Sequence, residues 1–152
     1  MKYKIGNRFI QPFCFSQNDV FKFAEVTGDN NPIHFDTEYA RNGIFGQPIM
    51  HGLLSISVFG KVFGTIFPGK DTIWIDQTLS FKKPMFVDCV YNAIFEIVDL
   101  VPYKHRMLLN TTVKIDNEIT ITGTSLLQNF NIEEHSINDK IDDHFGVQIG
   151  IL

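Results

Sequence analysis

The stretch IMHGLLSISVFGKVFGTIF (49–67) constrains the fold more than any other part of the chain. Its apolar residues cover nearly every side of a helix, and a helix with that pattern is buried. The stretch is long enough to cross a membrane. It also holds His51, Lys61 and three glycines, and charged side chains are costly inside a bilayer. We therefore predict no membrane span but a helix over His51–Phe67, buried in a folded domain.

Hydrophobic residues repeat with a period of two after this helix, which predicts strands. In IWIDQTLSF (73–81), the residues expected to face the core are Ile73, Ile75, Leu79 and Phe81. Further strands are predicted from the same pattern and from flanking turn residues over Tyr3–Phe9, 87–98, 105–115 and 118–128. A curved antiparallel sheet wrapped around the long central helix buries both apolar patterns, so the sequence predicts the α+β class.

Two glycines inside the helix give a more local expectation. Gly60 and Gly64 are four residues apart and therefore lie on one face of the helix. Glycine destabilises a helix interior, so tertiary packing has to hold this element together. The pattern allows a sheet or another backbone to approach closely at these two positions.

Length and charge predict one folded domain with a tail. With 152 residues the chain has room for a single domain with a substantial core. We place this domain at 1–128 and an acidic C-terminal extension at 129–152. The extension holds five acidic side chains against one lysine, so it carries the whole formal net charge of −4. The rest is neutral, without the basic surface that nucleic-acid binding requires, so we expect no nucleic-acid partner.

Cysteine and histidine patterns exclude other kinds of chemistry. Cys14 and Cys89 are too few for a disulfide framework, which favours a reducing, cytoplasmic setting. The five histidines show no metal-ligand spacing, and the chain has no phosphate-binding glycine loop. We predict a site without a metal.

The polar stretch TGDNNPIHFD (27–36) is the strongest candidate for a site. A predicted helix capped by Ser16 ends at Gly28, the second residue of the stretch. A second short helix is predicted to start at Asp36, so the stretch is a loop held at both ends. Such composition is also usual in turns that have no chemical role.

Two further features favour a site. A carboxylate and an imidazole on one rigid loop, here Asp29 and His34, are suited to hold one water and exchange protons with it. Nearby, His51-Gly52 opens the buried helix, where free N–H groups and the helix dipole stabilise negative charge. A water-activating pair beside an anion-stabilising helix end is what addition of water across a polarised double bond requires.

The runs FAEVTGDNNPIHFD, FGQPIMHGLLSISVFG and DQTLSFKKPMF closely resemble the MaoC-like family of R-specific enoyl-CoA hydratases, over roughly residues 5–128. The resemblance implies a hot-dog fold, commonly assembled as a homodimer or higher homo-oligomer. It implies that Asp29 and His34 are the catalytic pair, that the Gly52 N–H polarises the thioester carbonyl, and that Asn31 braces the loop. The substrate would be an acyl-CoA or acyl-carrier-protein thioester of fatty acid metabolism, and no bound cofactor would be needed.

One departure from the family and two alternatives bear on this hypothesis. Some members of the family carry a serine where this chain has Gly60, so the contact of that serine is missing here. A hot-dog thioesterase is one alternative, but many of those carry a carboxylate on the central helix, and 51–67 contains none. The other is a non-catalytic acyl-CoA-binding protein, which would not need the Asp29 and His34 pair.

The CoA phosphates would have to be met by local basic residues, because the net charge is negative. Four residues are nominated for this contact: Lys82, Lys83, Lys104 and Arg106. Solvated lysines at strand ends are the competing interpretation.

Overall fold

The computed structural model describes residues 3–35 and 37–132. Five antiparallel strands form one sheet in the order β1-β3-β4-β5-β2. The strands are β1 Arg8–Phe13, β2 Ile73–Phe81, β3 Tyr91–Val101, β4 Arg106–Ile115 and β5 Glu118–Gln128. The α-helices are α1 Gln17–Thr27, α2 Thr37–Arg41 and α3 Gly52–Thr65, with single 3₁₀ turns at Pro32–His34 and Pro102–Lys104. This arrangement confirms the predicted α+β architecture.

The central helix α3 packs on the sheet through aromatic side chains. The Phe59 and Phe63 rings each have their centroid 5.1 Å from that of Phe95, in edge-to-face contacts. All three side chains are almost completely buried, and such pairs add to the free energy gained from burial alone. The long apolar stretch is therefore the core of the domain, as predicted. In the part of the chain that the structure describes, no helix is both long and apolar enough to cross a membrane.

Two strands begin later than the sequence predicts, because each is preceded by a residue with positive φ. Gly6, at φ +85°, ends the extended run that was expected over Tyr3–Phe9, and β1 starts at Arg8. Asp88, at φ +59°, lies in a turn before β3, which starts at Tyr91 rather than at residue 87. A side-chain pattern alone does not reveal such a local backbone turn.

Among residues 3–35 and 37–132, no sheet or backbone makes the close approach that the two helix glycines allow. A Cβ added at Gly60 would only meet the Trp74 ring at 3.9 Å, and one at Gly64 would meet nothing within 4 Å. The close approach occurs instead at Gly123 in β5, where a Cβ would overlap the carbonyl oxygen of Thr78. There the two strands pair directly, since Thr78 lies opposite Thr124.

The inward set predicted for β2 is also wrong in part. Ile73 and Ile75 are 53% and 38% exposed, whereas Leu79 packs against the core. Phe81 lies on the same face as Leu79 and lines the cavity next to Gly52, although it is 51% exposed. The register shifts between Trp74 and Asp76, so that the indole, rather than its isoleucine neighbours, contacts the core. The start of this edge strand thus presents Ile73 and Ile75 outward.

The folded domain continues beyond the predicted boundary at residue 128. The Asn129 side chain is buried and donates to the Lys70 carbonyl oxygen at 2.9 Å and to Thr72 Oγ1 at 2.7 Å. Ile132 is 3% exposed, and its carbonyl oxygen lies 2.9 Å from Nδ1 of His105. The rest of the predicted acidic extension, 133–152, and the Asp36 helix start lie outside the described residues.

Candidate active site

Local capping holds the polar loop after α1 in place. A capping box between Ser16 and Asp19 starts the helix, and Gly28 ends it at φ +76° with its N–H on the Ala24 carbonyl oxygen. The two Ser16 hydrogen bonds lower the pKa of the Asp19 carboxyl. Asn31 then caps the single turn Pro32–His34, because its Oδ1 accepts from the Ile33 N–H at 3.3 Å. Asn31 thus makes the kind of contact that a loop-bracing role requires.

The structure brings the predicted pair together. Oδ2 of Asp29 lies 4.0 Å from Nε2 of His34. The Asp29 side chain is 51% exposed and the His34 side chain 9%, so the carboxylate faces water above a buried imidazole. Nδ1 of His34 lies 2.8 Å from the Ile49 carbonyl oxygen. Because a carbonyl can only accept, Nδ1 carries the proton and Nε2, toward Asp29, is left as an acceptor.

Gly52 lies with His34 in the wall of one cavity. This cavity has a volume of about 310 Å³. It is walled by His34, Gly52, Ser55, Lys82 and Lys83 together with the apolar side chains of Phe45, Ile49, Met50, Phe81, Pro84 and Met85. Gly52 is the first residue of α3, where main-chain N–H groups have no partner within the helix and favour negative charge. An imidazole acceptor and an anion-stabilising helix end thus open into the same space.

His51 is a site residue that the sequence analysis missed. Its ring lies on that of His34, with the centroids 3.8 Å apart and the planes at 32°. Its Nε2 is 3.0 Å from the Asp29 carbonyl oxygen and 3.9 Å from Asp29 Oδ2, and the residue is 2% exposed. In the sequence, its position directly before Gly52 was the one indication of a role. The contact with Asp29 could not be foreseen, because it joins the loop after α1 to the start of α3.

The same three residues raise the question of a metal. Asp29, His34 and His51 each place one possible ligand atom within 4.8 Å of the others, although their sequence spacing gave no indication of it. The hydrogen bonds do not favour a metal. Nε2 of His51 donates to the Asp29 carbonyl oxygen, and a nitrogen that carries a proton does not bind a metal.

The four nominated basic residues are divided between the two ends of the sheet. Lys82 and Lys83 line the cavity, and Lys83 forms an ion pair with Glu118. Arg106 pairs with Gln128 on β5, whereas Phe81, next to Lys82, pairs with Ile121 at the other end of that strand. Lys104 lies beside Arg106, with its Nζ 5.3 Å from the centre of the Tyr103 ring. Within one chain, only Lys82 and Lys83 are brought to the cavity.

Comparisons with known proteins agree with this geometry. A family model described as MaoC like domain matches residues 4–119. The 3-hydroxybutyryl-CoA dehydratase of Methylorubrum extorquens is 35% identical over 74% of this chain and 72% of its own length. The (R)-specific enoyl-CoA hydratase of Aeromonas caviae is 34% identical over 75% of this chain and 86% of its own. A solved (R)-hydratase from A. caviae involved in PHA biosynthesis matches with a TM-score of 0.79 at 31% identity, covering 83% of this chain and 96% of that one. The observed hot-dog fold is therefore shared with hydratases.

Proposed function

Because the chain belongs to the MaoC-like domain family, we propose that it is an enzyme that interconverts trans-2-enoyl-CoA and (R)-3-hydroxyacyl-CoA. The relatives described above carry names for both directions of this reaction, hydration and dehydration. The observation that carries the proposal is the convergence of Asp29 Oδ2 and His34 Nε2, 4.0 Å apart, next to the cavity that contains Gly52. This pair supplies the acid–base groups that addition of water needs.

In the hydration direction, Asp29 and His34 hold one water between them. The oxygen of that water bonds to C3 of the enoyl thioester as a proton passes to the pair, and the C2–C3 double bond shifts its electrons toward the thioester carbonyl. The same pair then returns a proton to C2, which completes the 3-hydroxyacyl product. Dehydration is the reverse. The hydrogen bonding of His34 suits this role, because Nδ1 donates to the Ile49 carbonyl oxygen and Nε2 is left to accept a proton from the water.

Gly52 stabilises the enolate oxygen that develops on the thioester. Its position at the start of α3 provides a main-chain N–H and the positive end of the helix dipole. A side chain here would be pressed against Phe81, because an added Cβ would lie 3.1 Å from that ring. Glycine therefore leaves room for the thioester at this point in the cavity wall.

Hydration of crotonyl-CoA tests the proposal directly. We expect the purified protein to consume crotonyl-CoA and to yield the (R)-3-hydroxybutyryl product, and we expect Asp29→Asn to lose that activity. A thioesterase would release free CoA instead, and a binding protein would bind the thioester without turnover. The thioesterase is not favoured, because the sequence of α3, GLLSISVFGKVFGT, carries no carboxylate.

Lys82 and Lys83 are proposed to meet the phosphates of the thioester carrier, because they lie at the cavity wall. Replacing both by Gln should raise KM for crotonyl-CoA at low salt, with less effect at high salt, since ionic contacts of exposed groups are screened. The matched control is a double Gln replacement of Lys104 and Arg106, which should leave KM unchanged. Equal KM for both variants and the wild type would contradict this assignment.

The assembly, location and cofactor remain part of this proposal. We expect a homodimer, because β2 is an edge strand with Ile73 and Ile75 exposed, and Leu53 on α3 is 61% exposed. Free thiols at Cys14 and Cys89 suit a cytoplasmic setting.

Chemistry by Asp29 and His34 needs no metal, so extensive chelation should leave the hydration rate unchanged. A hydration rate that is lost on adding a chelator and restored by adding a metal would contradict this.

A further inference from the structure

His51 makes more contacts with the catalytic loop than a residue that only fills the core would need. It is 2% exposed, its Nε2 lies 3.0 Å from the Asp29 carbonyl oxygen, and its ring stacks on His34 at 3.8 Å. Phe23 and Phe35 close around it, with ring centroids 5.0 and 5.7 Å away. The side chain of His51, the N-cap residue of α3, thus contacts both Asp29 and His34.

We propose that His51 is a positioning residue, which fixes Asp29 and His34 in their reactive geometry without taking part in proton transfer. This inference rests on the proposed function. The hydrogen bond to Asp29 holds the main chain at the residue whose carboxylate handles the water. The His51 ring packs against the His34 ring, and the Ile49 carbonyl oxygen accepts a hydrogen bond from Nδ1 of His34. Other contacts tie the loop to the rest of the chain further along, at Ile33 and His34, whose carbonyl oxygens accept from the Ile49 N–H and the Gln17 side chain.

The hydrogen bonding of His51 explains why it positions rather than reacts. The Asp29 carbonyl oxygen can only accept, so Nε2 of His51 must carry the proton. Nδ1 is buried and has no hydrogen-bond partner among residues 3–35 and 37–132. A second proton on Nδ1 would therefore find no hydrogen-bond acceptor among these residues. Nε2 of His51 is therefore a fixed donor to the loop that carries Asp29.

The amide side chains of Gln and Asn provide a matched test. The amide nitrogen of Gln is as many bonds from Cβ as Nε2 of histidine, so His51→Gln keeps a donor that reaches Asp29. The amide nitrogen of Asn corresponds to Nδ1, so His51→Asn is polar but does not reach. His51→Leu removes the donor altogether. A small misplacement of reacting groups costs about a hundredfold in rate.

We therefore expect His51→Asn and His51→Leu to lower kcat on crotonyl-CoA by about a hundredfold with KM within about threefold, and His51→Gln to stay within about tenfold of the wild type. Amide hydrogen exchange in residues 28–34 should be faster in the Asn and Leu variants and close to normal in Gln. His105→Leu is the control, because His105 also places a ring nitrogen on a main-chain carbonyl, that of Ile132, away from the site. It should lower Tm but keep kcat.

Two results would overturn the proposal. In the first, His51→Gln has the same low kcat and the same fast amide exchange in residues 28–34 as His51→Asn. In the second, His51→Asn is as active as the wild type. A stoichiometric metal in the wild type that is lost in His51→Asn would also overturn it, because His51 would then be a ligand. If the wild type does not hydrate crotonyl-CoA, the proposed function fails on its own. Hydrogen exchange in residues 28–34 then decides whether His51 holds the loop.

Discussion

At the scale of single residues, the site combines an exposed carboxylate with two buried imidazoles. The carboxylate of Asp29 faces water, whereas His34 and His51 lie beneath it and are held by main-chain carbonyl groups. A group that must exchange protons with bound water gains from access to solvent, and a group that must keep one tautomer gains from a fixed hydrogen bond. This division of environments gives each residue a separate, testable role.

Asp29→Asn is the most direct test of catalysis. The change keeps the size of the side chain and much of its turn hydrogen bonding, but removes the charge that accepts a proton. Positioned acid–base groups contribute roughly 10²–10⁴-fold in rate, so kcat should fall at least about a hundredfold. His34→Ala should lose a similar factor, and the double variant little more, because residues that act as a unit are not additive. Hydration rate, ligand affinity and Tm should be measured on all three.

Near-normal turnover in Asp29→Asn would contradict the catalytic assignment. Tm and crotonyl-CoA affinity should stay close to those of the wild type, because Gly52 supplies the proposed carbonyl contact. A variant that is inactive because it is unfolded would instead assign the loop a purely structural role.

At the scale of elements, the ends of two helices, α1 and α3, position the residues of the candidate site. The carboxyl end of α1 leads into the Asp29 loop, and the amino end of α3 places His51 and Gly52 against it. The cap at Ser16 therefore matters beyond local stability, since α1 carries the loop. The capping box adds a carboxylate, Asp19, whose pKa is lowered by its bonds to Ser16.

Ser16→Ala should lower the free energy of unfolding by about 1 kcal/mol, the typical effect of losing an N-cap. Asp19→Asn should also destabilise at neutral pH. A carboxyl with a folded-state pKa below its ordinary value of 3.8 contributes stability above that value and loses it as pH falls through the folded pKa. The difference between Asp19→Asn and the wild type should therefore shrink in urea unfolding as pH is lowered from about 5 to about 2.

Ser57→Ala is the matched control, because Ser57 lies inside α3 and only bonds back to the Leu54 carbonyl oxygen. Its effect should stay within about 0.5 kcal/mol. A pH-independent gap between Asp19→Asn and the wild type would show that the charge of Asp19 does not stabilise the cap.

At the scale of the whole molecule, residues beyond the predicted domain boundary at residue 128 hold the turn before β2 in place. Asn129 joins the strand end to the Lys70–Thr72 turn, and Ile132 is buried in the core cluster. Ile73 and Ile75 of β2 lie next to this contact and are exposed. The chain itself thus anchors the start of this edge strand, and the outward side chains of Ile73 and Ile75 stay exposed.

Two truncations separate the structural end of the domain from its tail. Removing 133–152 should leave the hydration rate within about threefold of the full chain, because the candidate site lies wholly upstream. Removing 129–152 should cost at least about 2 kcal/mol more in unfolding free energy, since it exposes the Ile132 site and unpairs the Asn129 contacts. Urea unfolding, light scattering and crotonyl-CoA hydration measure these effects. A 1–132 protein that folds and associates normally but is inactive would contradict the prediction.

The sequence by itself determined the fold class and the central pair. The change from an apolar helix to period-two strands specified a sheet around α3, because burial of both patterns permits few arrangements. The capped loop between α1 and α2 placed Asp29 and His34 within reach of each other, since their separation is short and Pro32 stiffens it. These are local or periodic properties, which a chain displays without its tertiary structure.

Only the tertiary structure decided the third site residue and the inner face of β2. His51 is 22 residues from Asp29, so their contact depends on how α3 docks against the loop after α1. The register shift between Trp74 and Asp76 puts Trp74 on the core-facing side together with Leu79, because one extra residue reverses the alternation of the side chains that follow it. Lys82 and Arg106 likewise look equivalent in sequence. The pairing of β5 puts them at opposite ends of the sheet, since register is a property of paired strands and not of either strand alone.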